Sequence, residues 1–394
     1  MATLPASCDV LVVGAGPAGS ACAQRLAAAG RHVLLADQYA FPRDKVCGDG
    51  LIPDAHEALR ELGVLDEVMA HAQRVVAVSC FAPRGGRVDV PGTLAVLPRR
   101  ELDPIIVRSA QRAGAELLPP LRFEAPLVEG DRVVGATFKR GDATHTVHAA
   151  RVVLATGAST GPMLAAGLCE RRVPSGVALR GYIRHDGWAD PVRTLQIVWH
   201  RRLAGGYGWI FPAPGGLYNI GAGFTGSYAE RGNPRAMFEA FAEVHAPARV
   251  LLAQGQWVGE LKGAPLRCSL TGARWSRPGL LATGETIGST YAFTGEGIGK
   301  AMRTGLLAAD ALLAGGEDAD VRARYEASLR ALKPRFDLYQ KAEHVNRRPW
   351  LTDLVIWRAR KSERILRRMS GVLEETQNPG RLLSWRGITK LMFE

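Results

Sequence analysis

The chain of 394 residues, 47% hydrophobic and 22% charged, has the composition of a globular protein and is long enough for a large core divided between two or three domains. A net charge of +12 favours an anionic partner (a phosphorylated cofactor, an acidic membrane surface or nucleic acid), and residues 331–394 alone carry fourteen Lys/Arg against seven Asp/Glu. The six cysteines are scattered with no CxxC pair, which argues against a disulfide scaffold or a structural metal and for a reducing compartment.

The opening MATLPASCDV has neither a basic n-region nor an apolar h-region, so no signal peptide is expected. No run reaches the roughly 18 to 20 apolar residues of a spanning helix. A cytoplasmic protein is expected. CDVLVVGAG reads as a short strand running into glycine, PAGSACAQRLAAAG as a helix of small residues and HVLLAD as a second strand. Strand, glycine turn, helix and strand make a βαβ unit with a parallel sheet. IPDAHEALRELGVLDEVMAHA alternates at helical spacing, and VVAVSCFAPRGGRVDVPGTLAVLP has the period-two pattern of antiparallel strands. RRELDPIIVRSAQRAGAELL reads as a helix, then VVGATFKRG, THTVHA and ARVVLATG as strands. Residues 170–270 are strand-like, with one clear helix in NPRAMFEAFAEVHA. GLLATG is a further strand and GIGKAMRTGLLAADALLAG a helix, and after Asp318 the pattern is helical to the end.

The expected fold class is therefore α/β. A composite Rossmann-like cofactor domain takes residues 1–80, 99–165 and 275–318, and a β-sheet substrate domain takes 81–98 and 166–274. A helical C-terminal region spans 319–394.

The first turn supplies Gly14, Gly16 and Gly19 as G-x-G-x-x-G, with Ala15, Pro17 and Ala18 between them. The first glycine permits the tight turn, the second lets backbone amides approach a pyrophosphate, and the third lets helix and strand pack closely. Asp37 ends the second strand, where a carboxylate accepts from ribose hydroxyls and repels a 2′-phosphate; this suits NAD or FAD rather than NADP. Three later segments favour FAD. Ala155-Thr156-Gly157 is a small-residue turn at a strand end. Gly284-Glu285 follows another strand and places an acid where it can hold a sugar-alcohol chain; the glycine-rich helix start at Gly295, Gly297, Ile298 and Gly299 then aims amides and the positive dipole end at a flavin. The third is Arg99-Arg100-Glu101-Leu102-Asp103, which opens a helix.

With FPRDKVCGDG (41–50), GYGWIFP and TGEGIGKAM, these segments resemble the geranylgeranyl reductase family of FAD-dependent oxidoreductases, in the p-hydroxybenzoate hydroxylase-like superfamily, over roughly residues 9–313. FPRDKVCGDG is similar to the family's PRxKxCG, residues 99–103 to RxxLD, and GYGWIFP to YxWxFP. Glu285 stands where the family usually has Asp, and Asp37 replaces a usual Glu. The resemblance implies that Cys47 and Gly48 lie beside the isoalloxazine ring. On the residues themselves, Arg43 and Lys45 offset cofactor phosphate charge, Asp44 orients one of them, and Gly48 and Gly50 let the backbone approach a flat ring. Cys47 can tune the flavin, shape the pocket, pass a proton to substrate, or simply fit a tight space.

Tyr207, Trp209 and Phe211 share one face of a strand by alternation, giving a flat apolar wall for an isoprenoid or aromatic substrate or, equally, an aromatic core stripe. With Cys47, Tyr207 and Trp209 are the candidate catalytic residues. The nine histidines form no metal cluster and there is no GxSxG elbow, so neither a metal nor a hydrolase is expected. PWLTDLVIWRARKSERILRRMSGVL is a basic amphipathic stretch suited to an anionic membrane or to packing on its own domain. No RNA-binding module is visible, so nucleic acid is not an expected partner. The resemblance implies reduction of a carbon–carbon double bond in a lipophilic, geranylgeranyl-type substrate; hydroxylation or halogenation of an aromatic or polyketide-like compound is the alternative. The halogenase pattern WxWxIP meets Tyr207, Trp209, Phe211 and Pro212 here. The one further G-x-G-x-x-G, GAGFTG at 221–226, falls in the strand-like stretch 170–270 and opens no helix, so no separate nicotinamide domain is expected and electrons come from NAD(P)H docking transiently or from a separate reductase.

Overall fold

The computed structural model describes residues 5–226 and 232–377. The part of the C-terminal region expected at 378–394 lies outside the described residues.

Runs of Val and Leu that are buried on both faces form the centre of a first sheet, as parallel pairing requires. Its strands lie in the order Ser276–Arg277, Leu280–Ala282, Ala143–Leu154, Ser7–Val13, Val33–Ala36 and Glu116–Leu117. Ser7–Val13 pairs in parallel with Val33–Ala36 on one side and with Ala143–Leu154 on the other. The chain thus leaves in opposite directions from two adjacent strand ends, at Gly14 and at Ala155, and the crevice between such ends is where open α/β sheets bind ligands. Two of the strands expected after residue 130 are one: Ala143–Leu154 pairs antiparallel with Arg132–Arg140 through its first half and parallel with Ser7–Val13 farther along. A strand long enough to serve two partners carries no turn signal at the change.

The Pro17–Ala28 helix packs under the Ile298–Leu313 helix. A Cβ at Gly305 would lie 2.1 Å from the Ala18 carbonyl oxygen, so only glycine permits this approach. The expected helix after residue 52 is two, Pro53–Glu61 and Leu65–His71, separated at Gly63, whose φ is 67°. The helix expected over 233–246 is found as Pro234–Val244, and a second, unexpected one, Ala246–Gln254, follows it with Pro247 in its first turn.

The second sheet runs Gln256–Trp257, Gly176–Arg184, Leu217–Thr225, Gly206–Ala213, Leu195–Val198, Gln73–Phe81, Arg87–Val96 and Gly50–Leu51, with Lys262–Leu266 also on Gly176–Arg184. It therefore recruits Gly50–Leu51 and Gln73–Phe81 from the segment 1–80, because their hydrogen-bond partner is the Arg87–Val96 strand. Alternation along Gly206–Ala213 sends Gly208 against Phe241 of the covering helix, where a Cβ would lie 2.2 Å from its ring. Tyr207, Trp209 and Phe211 point the other way.

The Asp318–Ala342 helix returns to the first sheet, where the Tyr325 hydroxyl donates to the Ala282 carbonyl at 2.6 Å. Helices Pro349–Ala359 and Glu363–Leu373 then cross to the second sheet. Close backbone there is again supplied by glycine: a Cβ at Gly92 would lie 2.6 Å from a Leu373 methyl.

Candidate functional site

Between the two sheets lies a cavity of about 1220 Å³, walled at one end by the first sheet's glycine turns and at the other by the C-terminal helices. The glycines of the first turn divide by role. Gly14 has φ 104°, and a Cβ there would meet the Ala155 oxygen at 2.3 Å; at Gly19 it would meet the Gly14 oxygen at 1.8 Å. Those two hold the turn against the protein itself. Gly16 is different, because its nearest neighbours are the guanidinium nitrogens of Arg43 and Arg99, 3.8 Å from a Cβ position. It is also the N-cap of the Pro17–Ala28 helix and makes no side-chain cap bond. Open space, first-turn amides and two cations converge there, a donor set that matches a pyrophosphate.

Gly14, Gly16, Pro17, Ala18, Asp37, Arg43, Lys45, Cys47, Gly48, Arg99, Ala155, Gly157, Glu285, Gly295, Gly297 and Ile298 all line this cavity, as do Tyr207 and Trp209. Gly19 and Gly284 do not: a Cβ at Gly284 would meet the Ala18 methyl at 2.6 Å, so this glycine serves packing. Asp37 accepts from the Ala15 amide at 2.9 Å and the Tyr39 amide at 3.0 Å. Arg43 sits between carboxylates, 3.5 Å from Asp37 and 3.2 Å from Asp103, and its buried Nε has no partner. Arg99 forks onto Asp103 at 2.5 and 2.9 Å. Thr156 and Thr294 also present buried hydroxyls without partners. These orphaned groups fit an FAD laid from the glycine turn to the Gly295–Gly297 loop.

Asp44 orients neither Arg43 nor Lys45, contrary to expectation. It turns to the second sheet, where Arg180 donates to it at 2.7 Å and Lys262 at 3.1 Å. This is one part of a buried network that the sequence reading missed. Arg180, only 1% exposed, also donates to the Lys45 carbonyl at 2.8 Å, and its guanidinium lies 4.2 Å from the centre of the Tyr182 ring. Asp49, fully buried and at φ 63°, accepts from the Tyr182 hydroxyl, from Asn219 Nδ2 at 2.7 Å and from the Arg99 amide at 3.3 Å. Asn219 Nδ2 also donates to the Cys47 carbonyl at 2.8 Å, and its oxygen receives the Trp209 indole N–H at 2.9 Å. The loop 41–50 is thereby riveted to the second sheet. Burial pushes the Asp49 carboxyl up to about 6, against the hydrogen bonds from Tyr182 and Asn219 and the charges of Arg180 and Arg99. Arg and Tyr two apart in VALRGYIRH, on one strand face, were the signal available.

Cys47 lies over this hub, with the Asp49 amide 3.4 Å from its sulfur. Burial and the Asp49 carboxylate hold its thiol above the usual range, against the pull of Arg99, so at neutral pH it is a neutral thiol rather than a nucleophile. Around it stand aromatic side chains. Trp209 and Phe211 pass Gly48 at 3.8 and 3.3 Å from a Cβ position, and Trp199 stacks on Phe293 with centroids 6.4 Å apart. Tyr207 donates its hydroxyl to the Thr294 carbonyl and is therefore committed to the Gly295 loop.

A second missed group is Glu296, half-buried and lining the cavity. Burial pushes it up to about 8, against Lys300 and with help from the Asp54 and Glu375 carboxylates. Lys300 itself pairs with Asp54 at 2.6 Å and with Glu375.

Residues 7–175 match the model of the FAD binding domain family. The menaquinone reductase of Mycolicibacterium smegmatis is 32% identical over 331 residues, covering 78% of this chain and 77% of that protein. Digeranylgeranylglycerophospholipid reductase 2 of Methanopyrus kandleri is 30% identical, with 80% of each chain covered. The chain belongs to the geranylgeranyl reductase family of FAD-dependent oxidoreductases. Among solved structures, a geranylgeranyl bacteriochlorophyll reductase-like protein from Thermoplasma acidophilum shares the fold, with a TM-score of 0.74 at 23% identity over 98% of this chain and 96% of the other. This member of the geranylgeranyl reductase family is accordingly an FAD-dependent oxidoreductase.

Proposed function

We propose that this flavoenzyme reduces a carbon–carbon double bond of a lipophilic, prenyl-type substrate. The observation that carries the reading is the continuity of the cavity. It starts at the glycine turns, passes Trp199, Tyr207, Trp209 and Phe211, and ends on Val355, Ile356, Met369, Val372 and Leu373, an apolar slot for a long hydrocarbon. The relatives' names point to the same substrate class.

FAD, when bound and reduced, supplies a hydride. Gly16 with the first-turn amides, Arg43 and Arg99 would hold its pyrophosphate; Asp37 would hold the adenosine ribose and Glu285 the ribityl chain. Lys45, Cys47, Gly48, Ala155, Gly157, Gly295, Gly297 and Ile298 would frame it. Trp209 and Phe211 keep the far wall flat and dry. The proton that the second alkene carbon needs has candidate donors in Glu296, Cys47 and Tyr207. Glu296 is the best placed, because it lines the cavity and burial keeps its carboxyl in the acid form up to about pH 8. Electrons would reach the flavin from NAD(P)H or a separate reductase in a cytoplasmic setting.

The test is to reduce the flavin-loaded enzyme anaerobically, add geranylgeraniol or a geranylgeranyl lipid, and follow flavin reoxidation with mass analysis of the product. Reoxidation matched by a pair of hydrogens gained per double bond is the expected result. Turnover that needs oxygen and adds an oxygen atom would replace this reading with hydroxylation.

A further inference from the structure

We propose that the outer surface of helices Pro349–Ala359 and Glu363–Leu373 docks on an anionic lipid bilayer, so that substrate passes from the membrane into the cavity these helices wall. The inference rests on the lipophilic-substrate reading above and adds the surface that would deliver such a substrate.

Each helix has two unlike faces. In Pro349–Ala359, Thr352, Val355 and Ile356 line the cavity at i, i+3 and i+4. Trp350 and Trp357, two turns apart and hence on one face, are 53% and 49% exposed. In Glu363–Leu373, Met369, Val372 and Leu373 line the cavity, while Arg364 and Arg367 are exposed. The link between the helices carries exposed Arg360 and Lys361, and the Lys361 ammonium lies 4.6 Å from the centre of the Trp357 ring. From 349 to 373 the chain has six Arg/Lys against two Asp/Glu.

Exposed tryptophan is costly in water but settles at the headgroup level of a bilayer, where its ring is apolar and its N–H wet. Basic residues beside it gain from anionic headgroups. No helix among the described residues is long and apolar enough to cross a membrane, so the contact is peripheral. A protein partner could also meet Trp and Arg. The bilayer is favoured because the helices that carry this charge and these rings are themselves the cavity wall.

The experiment is co-sedimentation of the full-length, flavin-loaded protein with vesicles of phosphatidylglycerol and phosphatidylcholine, and with phosphatidylcholine alone, at low and high salt. The expected result is binding to the anionic vesicles that salt weakens and little binding to the neutral ones. Two variants, Trp350→Ala with Trp357→Ala, and Arg360→Glu with Lys361→Glu and Arg364→Glu, should each weaken it, the second at least about tenfold, since each charge near the surface is worth about fivefold. Their flavin spectra and their turnover of a detergent-dispersed short prenyl alcohol should match the wild type. No binding by the wild type, binding that neither variant alters, or a dimer that the tryptophan variant splits would overturn the proposal. Because vesicle binding needs no turnover, binding without reduction of any prenyl lipid would sink the substrate reading and leave the docking surface standing.

Discussion

The two walls of the cavity are built by opposite means. On the first-sheet wall the work is done by what is missing: at Gly14, Gly16, Gly19 and Gly284 the absence of a Cβ makes room for backbone, helix or ligand. On the second-sheet wall it is done by side chains that span the fold, with Asp44 and Asp49 reaching Arg180, Tyr182 and Asn219 more than 130 positions away. A wall of absences is written in adjacent residues and can be found by motif. A wall of long-range partners cannot.

The sharpest way to break the comparison is within the first turn. Gly14→Ala forces a side chain into φ 104° and onto the Ala155 carbonyl, and should cost more than about 4 kcal/mol, seen as loss of soluble protein or of the cooperative melt. Gly16→Ala should leave the melt of the flavin-free protein within about 0.5 kcal/mol yet weaken FAD tenfold or more by titration. If both variants lose the fold alike, Gly16 is a packing residue and the division of roles is wrong.

On the other wall, Asp49→Ala strands the Tyr182 hydroxyl, one Asn219 bond and the Arg99 amide in a buried site. A loss of about 3 kcal/mol in denaturant melts is expected. A smaller pH effect sits beside it. With its folded-state acidity pushed up to about 8, Glu296 binds a proton in the native protein that the unfolded chain releases near 4.5. Its contribution to stability is therefore greatest below about 4.5 and is lost as pH rises to about 8. Glu296→Gln should flatten that slope and raise the melting temperature at pH 8 and above, with Asp54, Lys300, Glu375 and Arg335 still in place. A slope unchanged by the substitution would assign it to those neighbours. The smallest effect is expected at Cys47. As a neutral thiol held by its surroundings, it should tolerate Cys47→Ser with full flavin content and less than about tenfold change in kcat, and abolished turnover would make it a proton donor instead.

Much of the cofactor end was legible because its residues are local. The βαβ unit, the glycine turn, Asp37 and the small-residue turns at 155–157 and 295–297 each sit within a few positions of the strand that carries them. Period-two alternation also placed Tyr207, Trp209 and Phe211 on a common face correctly. The errors lie where a segment's partner is distant. Asp44 was assigned to its neighbours in the chain, whereas Arg180 on the second sheet holds it. Glu296 sat in plain view inside TGEGIG, but its acidity depends on Asp54 and Lys300, on two different helices, and on Glu375 in the turn after Glu363–Leu373.

The sequence by itself determined a βαβ unit with a parallel sheet and a tight glycine turn, because short-range sterics and alternation are enough to specify them, and its motifs carried the resemblance that fixed the family. Only the tertiary structure decided which glycines face the cavity, which carboxyls are buried into unusual acidity, and that two C-terminal helices form one wall of the slot. Each of those depends on how elements far apart in the chain exclude water from one another, and burial is a property of the packed whole.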